Sequence, residues 1–250
     1  MSTLVTADGL ELHVRVAGRG ADPSVVLVHG LAGSVALSWE APGVIDALVR
    51  ADTRVVAFDR RGHGASDAPA VREYYAQSRF VDDLFEVVAS FADPDAVVVG
   101  YSLGAALTLL ALERGLAIRA AVVAGTAASV LEWTDEDERR RVATIQALEG
   151  SPDVDGDLVA YVAFFRAIGA NLSALALLLA DHRPVAGDWA AITTPITVVA
   201  GVDDTLAAPP EEVAARLRGA PVVRVPGDHV SAPWSPEFVD LVVAVAHGAS

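Results

Sequence analysis

Gly100-Tyr101-Ser102-Leu103-Gly104 stands between the run Asp95-Ala96-Val97-Val98-Val99 and the run Ala105-Ala106-Leu107-Thr108-Leu109-Leu110. The β-branched stretch before it reads as a buried strand, and the Ala/Leu stretch after it as a helix. A serine at such a junction has a definite use. To turn from strand to helix within a few residues, the chain must hold Ser102 in a strained backbone conformation, which lifts its hydroxyl clear of the sheet. Bulky neighbours would clash there, so Gly100 and Gly104 flank it. The Leu103 N–H lies at the helix N-terminus, where backbone donors face developing negative charge. The chemistry this suits is nucleophilic attack, with the charge taken up by neighbouring backbone.

A serine alone is a poor nucleophile and needs a general base, which in turn needs a carboxylate to orient it. Only one histidine lies near the C-terminal end of the last strand-like run, His229 in Val225-Pro226-Gly227-Asp228-His229. The loop Gly201-Val202-Asp203-Asp204-Thr205-Leu206 offers two acids. Asp228 is a further one, but adjacent side chains in a turn seldom reach each other's ring nitrogen, so a structural role is expected for it. His29 and His63 read as structural rings and His13 and His247 as surface residues. His182 reads as the closing residue of a helix, with substrate contact the alternative. No two histidines have metal-ligand spacing, and no Gly-x-Gly-x-x-Gly opens a helix after the first parallel strand. Neither a metal nor a cofactor is expected.

The elements that must carry these residues follow from hydrophobic periodicity. Leu10 to Val16 alternates, as an edge or antiparallel strand does. Segments 24–28, 53–58, 96–99, 120–124, 196–200 and 222–225 are short continuous apolar runs, the mark of buried parallel strands. Helical patterns lie near 35–50, 76–92, 103–115, 210–218 and 236–247. In the second of these Phe80, Leu84, Val87, Val88 and Phe91 share one face. The expected fold class is α/β, a doubly wound and mostly parallel sheet. The candidate residues Ser102, Asp204 and His229 then sit at carboxyl ends of strands, where open α/β sheets bind ligands.

One stretch breaks the rhythm. Residues 128–187 show no strand pattern and read as three short helices, giving a core domain of 1–127 and 188–250 and a helical cap of 128–187. Thr134 is a good N-cap, and Asp135–Arg139, Glu136–Arg140 and Asp137–Arg141 fall at i,i+4 on a solvated face. Tyr161, Phe164, Phe165, Ile168 and the leucines from Leu172 to Leu179 are more apolar than a surface excursion needs. They are expected both to glue the insertion down and to face a pocket, with Tyr101, Phe164 and Phe165 as candidate substrate contacts.

Composition narrows the functions further. The chain has 250 residues, no cysteine and a net charge of −15. All eighteen basic residues are arginine, so no lysine Schiff base can form and pyridoxal-phosphate chemistry is excluded. The acidic balance opposes binding to nucleic acid or anionic lipid. No apolar run nears the ~18 residues of a membrane span, no secretory signal is visible, and a cytoplasmic location is expected. The expected partner is a small-molecule substrate; oligomeric state leaves no mark in the sequence.

Two more segments complete a pattern. His29-Gly30-Leu31-Ala32-Gly33 follows the first buried strand, and Asp59-Arg60-Arg61-Gly62-His63-Gly64-Ala65-Ser66 follows the second. With the serine pentapeptide, the Gly-x-x-Asp loop and the late Gly-x-His, the chain resembles the α/β-hydrolase superfamily over essentially its whole length, in its compact bacterial esterase-like form. In that family the first segment is the oxyanion loop, the second a turn of the form Asp-x-Arg-Gly-x-Gly-x-Ser, and a helical cap follows the sixth core strand. The family places its acid three residues after the glycine, which selects Asp204 over Asp203. The loop that carries the acid in some members reads Gly125-Thr126-Ala127-Ala128-Ser129 here and holds none. The resemblance implies that Ser102 attacks a carbonyl carbon, His229 carries the proton and Asp204 steadies the imidazole. It implies that the N–H groups of Leu31 and Leu103 form the oxyanion hole, where losing one donor costs roughly 3–4 kcal/mol. Relatives that open epoxides or remove halide carry aspartate in place of the serine. Hydrolysis of a carboxylic ester, thioester or lactone of a small to medium apolar substrate is the first expectation. Cofactor-free carbon–carbon bond hydrolysis, with Arg60, Arg61, Arg166 or Arg183 as anion binders, is one alternative. A ligand receptor retaining the fold is the other.

Overall fold

The computed structural model describes residues 2–19, 22–127, 133–184, 187–207 and 209–248. Eight strands form one sheet: β1 (Ser2–Val5), β2 (Glu11–Ala17), β3 (Asp22–Val28), β4 (Thr53–Phe58), β5 (Val97–Tyr101), β6 (Ala120–Ala124), β7 (Ile196–Gly201) and β8 (Val222–Val225). Their order across the sheet is β1-β2-β4-β3-β5-β6-β7-β8. β1 and β2 pair antiparallel with each other, and β2 pairs antiparallel with β4; every other neighbour is parallel. The valine-rich strands β3, β5 and β6 are buried on both faces because helices cover each side. One face carries α2 (Gln77–Phe91) and α3 (Leu103–Glu113). The other carries α1 (Val44–Arg50) and α8 (Pro236–Ala246), packed around Trp39, Leu48 and Phe238.

Two features depart from the expected elements. β1 exists and lies outside β2, so of the two readings of the alternating segment, edge or antiparallel, the antiparallel one holds and the edge belongs to β1. The helical stretch expected near 35–50 is a π-helical turn, Ala36–Glu40, followed by α1 after Gly43, whose φ of 80° breaks the helix.

Between β6 and β7 lie α4 (Asp135–Leu148), α5 (Gly156–Ala167) and α6 (Leu172–Asp181). Residues 128–132 and 185–186 lie outside the described residues, Ala128 and Ser129 of the segment Gly125-Thr126-Ala127-Ala128-Ser129 among them. Thr134 caps α4 in a reciprocal box with Asp137. The ion pairs on α4 run at i,i+3, Arg139 with Glu136 and Arg141 with Glu138, and not at the expected i,i+4 spacing. Arg141 also donates to the Leu179 carbonyl, and that reach toward α6 draws its guanidinium off the i,i+4 partner. Leu175, Leu178 and Leu179 of α6 are buried in the core shared with α2 and α3, so α6 fixes the segment to the sheet.

Among the described residues no helix is long and apolar enough to cross a membrane.

Candidate active site

Ser102 has φ 54° and ψ −120°, a conformation costly for a residue with a Cβ. The crowding expected around it is present. A Cβ on Gly100 would lie 2.5 Å from Thr108 Oγ1 and from the Gly104 carbonyl oxygen, and one on Gly104 would run into the Val28 carbonyl. The tight turn brings the start of α3 against the end of β3. It leaves Ser102 at the floor of a chamber of about 360 Å³.

Three loops meet on the serine. After β8, the chain turns through Asp228, whose Oδ1 accepts from the backbone of Val230 and Ser231 and from the Ser231 hydroxyl. That turn leaves the neighbouring His229 ring pointing at β5, with Nε2 2.9 Å from Ser102 Oγ. Asp228 therefore holds the turn, as expected. After β7, Asp204 is buried while Asp203 is exposed. Asp204 Oδ2 lies 2.9 Å from His229 Nδ1, and its Oδ1 accepts from the N–H groups of Leu206 and Ala207, both at 3.0 Å. With one oxygen fixed by backbone, the other has a single direction left, toward the imidazole. The Tyr101 hydroxyl donates to the His229 carbonyl at 2.8 Å, and its ring packs on the imidazole. Burial, reinforced by the charges of Asp204 and Asp228, pushes the Tyr101 phenol well up, so it stays a donor.

The loop after β3 is held with equal firmness. The Gly30 carbonyl accepts from Arg60 Nη2 at 2.7 Å, from His29 Nδ1 at 2.9 Å and from the Gly33 N–H at 3.2 Å. His29 Nε2 in turn accepts from the Arg60 N–H. Asp59 spans both loops, taking the Val35 N–H on Oδ1 and the Ala65 N–H on Oδ2. Burial, aided by the Arg60 charge, holds the imidazoles of His29 and His63 well below their usual range. Both rings are structural, as expected, and His63 braces its turn through the Arg61 carbonyl. His13 is not the free surface residue expected: its ring is half-buried and meets Asp59 at 3.1 Å. His182 ends α6 and packs against Trp133, and it is not among the residues that line the chamber.

Peptide planarity turns the Leu31 N–H away from the three donors that hold the Gly30 carbonyl. Neither it nor the Leu103 N–H finds a protein acceptor among the described residues. Gly30 and Leu31 line the chamber with Ser102 and His229. A Cβ on Gly30 would sit 3.0 Å from that of Ser102, which is why this approach needs glycine.

The chamber wall is apolar. Tyr161, Phe164, Phe165 and Ile168 come from α5, and Tyr101 closes the floor. Phe165 is buried and Phe164 half-exposed at the rim. The other side is built by Leu37 and Trp39, and by Leu206, Val230, Pro233 and Trp234 from the loops that carry Asp204 and His229. Reading the sequence did not single these out; their one signal is closeness in the chain to the acid and the histidine. Among the described residues no arginine lines the chamber. Arg61 pairs with Asp83 at 2.6 Å and Asp8 at 2.9 Å, and Arg60 donates through Nη2 to the Gly30 carbonyl. Among the described residues no cluster of side chains could hold a metal ion.

A model of the alpha/beta hydrolase family matches residues 25–241. The chain belongs to this family. The match runs from β3 into α8 and so takes in every loop described above. A hydrolase from Pseudomonas aeruginosa has a similar structure, with 28% identity, a TM-score of 0.80 and coverage of 99% of this chain and 98% of that one. The esterase EaEST from Exiguobacterium antarcticum shares the fold at a TM-score of 0.80, with 18% identity over 98% of this chain and 99% of its own. In sequence, the AB hydrolase superfamily protein YfhM of Bacillus subtilis is 36% identical over 103 residues, 41% of this chain and 35% of that protein. This alpha/beta hydrolase thus aligns with about a third of that curated relative's length.

Proposed function

We propose that this chain hydrolyses carboxylic esters with small to medium apolar groups through an acyl-enzyme on Ser102. The observation that carries the reading is the line Ser102 Oγ, His229 Nε2, His229 Nδ1, Asp204 Oδ2, with 2.9 Å at each hydrogen bond, laid at the floor of an apolar chamber. Nε2 takes the serine proton as Oγ bonds to the ester carbon. The carbonyl oxygen becomes an oxyanion facing the Leu31 and Leu103 N–H groups, already fixed before substrate arrives. When the intermediate collapses, Nε2–H protonates the departing alkoxide. Water then repeats the sequence, giving its proton to Nε2 and its oxygen to the acyl carbon, and the acid leaves with Ser102 restored. Asp204 stays ionised and stabilises the imidazolium at both stages.

The chamber supports the substrate class. A volume of about 360 Å³ lies at the small end of ligand sites and is walled by aromatic and aliphatic side chains. Carbon–carbon hydrolysis needs a group to hold a second anionic centre, and this wall carries no arginine.

The test is intact-protein mass after treatment with a fluorophosphonate, followed by p-nitrophenyl esters of graded chain length. One adduct on Ser102 and a turnover optimum at short or medium chains are expected, with both lost in Ser102→Ala. Turnover in Ser102→Ala close to the wild-type rate would overturn the assignment.

A further inference from the structure

Arg60 is buried, and among the described residues its guanidinium bonds no carboxylate. Asp83, the acid whose charge acts on it, is chelated by Arg61. The polar partners of Arg60 are neutral instead. Nη2 donates to the Gly30 carbonyl at 2.7 Å and meets His63 Nε2 at 3.3 Å. His63 gives its Nδ1 proton to the Arg61 carbonyl, which leaves Nε2 as an acceptor. His29 follows the same rule, donating from Nδ1 to the Gly30 carbonyl and accepting the Arg60 N–H on Nε2. The Phe80 ring, 5.6 Å from the guanidinium carbon, adds a weak attraction. Burial pulls the guanidinium down to a pKa of about 9, which leaves it charged at neutral pH.

A buried charge without a counter-ion is costly, and a neutral donor would hold a carbonyl at less cost. What offsets that cost is negative charge that forms only during the reaction. The Gly30 C=O and the Leu31 N–H are the two ends of one planar peptide and point in opposite directions. A charge-assisted bond to the oxygen draws electron density from the N–H and makes it a stronger donor. In the ester hydrolysis proposed above, the oxyanion forms against that N–H and is absent from the bound ester. The cation therefore favours the transition state over the ground state.

We infer that Arg60 is a positioning residue for the oxyanion hole: through the Gly30 carbonyl it fixes and polarises the peptide whose N–H, on Leu31, takes up the charge of the tetrahedral intermediate. It acts from behind the loop and does not line the chamber. This role rests on the ester-hydrolase reading.

Arg60→Met and Arg60→Gln both remove the charge, one with an apolar and one with a polar side chain. Each should lower kcat on p-nitrophenyl acetate about tenfold, less than the ~100-fold of losing an oxyanion donor outright, with KM little changed. Affinity for an alkyl trifluoromethyl ketone, which becomes an oxyanion when Ser102 adds to it, should fall by the same factor. Affinity for the matching alcohol, which the serine cannot attack, should not move. Equal losses for ketone and alcohol would show a merely structural role and overturn the inference. So would wild-type kcat in either variant; if Arg60→Met does not fold, Arg60→Gln decides. A wild type that binds the ketone on Ser102 but cleaves no ester would defeat the proposed reaction alone, since the ketone and alcohol affinities still decide the role of Arg60. A wild type that forms no ketone adduct defeats both.

Discussion

In an Asp204→Asn variant the new side-chain oxygen has one place to go. Oδ1 of Asp204 takes two backbone N–H groups at 3.0 Å, from Leu206 and Ala207, and only an oxygen can serve there. The amide nitrogen is thereby set where Oδ2 now meets His229 Nδ1 at 2.9 Å. An NH2 group donates, so Nδ1 must accept, and the ring proton moves to Nε2. Nε2–H would then face Ser102 Oγ across 2.9 Å, unable to take its proton. In a Ser-His-Asp protease the same exchange lowers kcat about 10⁴-fold, equivalent to about 5 kcal/mol of activation free energy. The expectation here is a fall of about 10³–10⁴-fold in kcat on p-nitrophenyl acetate. KM should change little. The thermal midpoint should stay near the wild-type value, because both loop hydrogen bonds survive. Asp203→Asn, on an exposed side chain, should leave turnover untouched. If Asp204→Asn kept about a tenth or more of the wild-type kcat, the orientation argument would fail. It would fail too if Asp228→Asn lost as much as Asp204→Asn.

Two further outcomes concern stability. Arg61→Met leaves the buried carboxylate of Asp83 without its cation and should cost about 3–5 kcal/mol in urea unfolding. Adding Asp83→Leu should recover most of it, and a double variant no better than the single would refute the account. Acid should weaken the fold through its neutral histidines. Burial, with Arg141 and Arg60 nearby, lowers His182 from 6.5 to about 4. A depressed folded pKa means that the unfolded chain takes up the proton first, so stability is complete above about pH 6.5 and is lost as pH falls toward 4. His182 alone accounts for about 3 kcal/mol of that loss. His182→Gln should flatten the decline in denaturation midpoints between those pH values; an unchanged slope would show that the ring is not the cause.

The sequence declares most of the parallel sheet, because each buried strand is a short apolar run with few rivals. β1 escapes notice: Ser2-Thr3-Leu4-Val5 is too short and too polar to stand out, and only pairing with β2 makes it a strand. Ser102, Asp204 and His229 are legible since each sits just beyond a recognisable strand, and topology then brings strand ends together. The buried pair of Asp83 and Arg61 could also have been found. Asp83 falls on the face of α2 that carries Phe80, Leu84 and Val87, and a carboxylate there must have a cation. What periodicity cannot give is the choice of neighbour. The apolar faces of α5 and α6 look alike in sequence, yet α5 walls the chamber and α6 packs on the core. Val230 lies in a loop and Trp234 in the 3₁₀ turn Ala232–Trp234, whose course no periodic signal describes. Arg141 takes Glu138 at i,i+3 in place of its expected i,i+4 partner for a similar reason, a tertiary bond to α6 that local spacing cannot foresee.

The hydrogen bond between Ser102 and His229 joins residues 127 positions apart, and the whole of α4 to α6 lies between them. Such a contact is among the last a chain can afford to close, since the intervening segment must first be placed. Helix formation or burial of a tryptophan can report a partly built sheet. Recovery of ester cleavage during refolding would instead time the docking of β8, so catalysis doubles as a clock for completion of the fold.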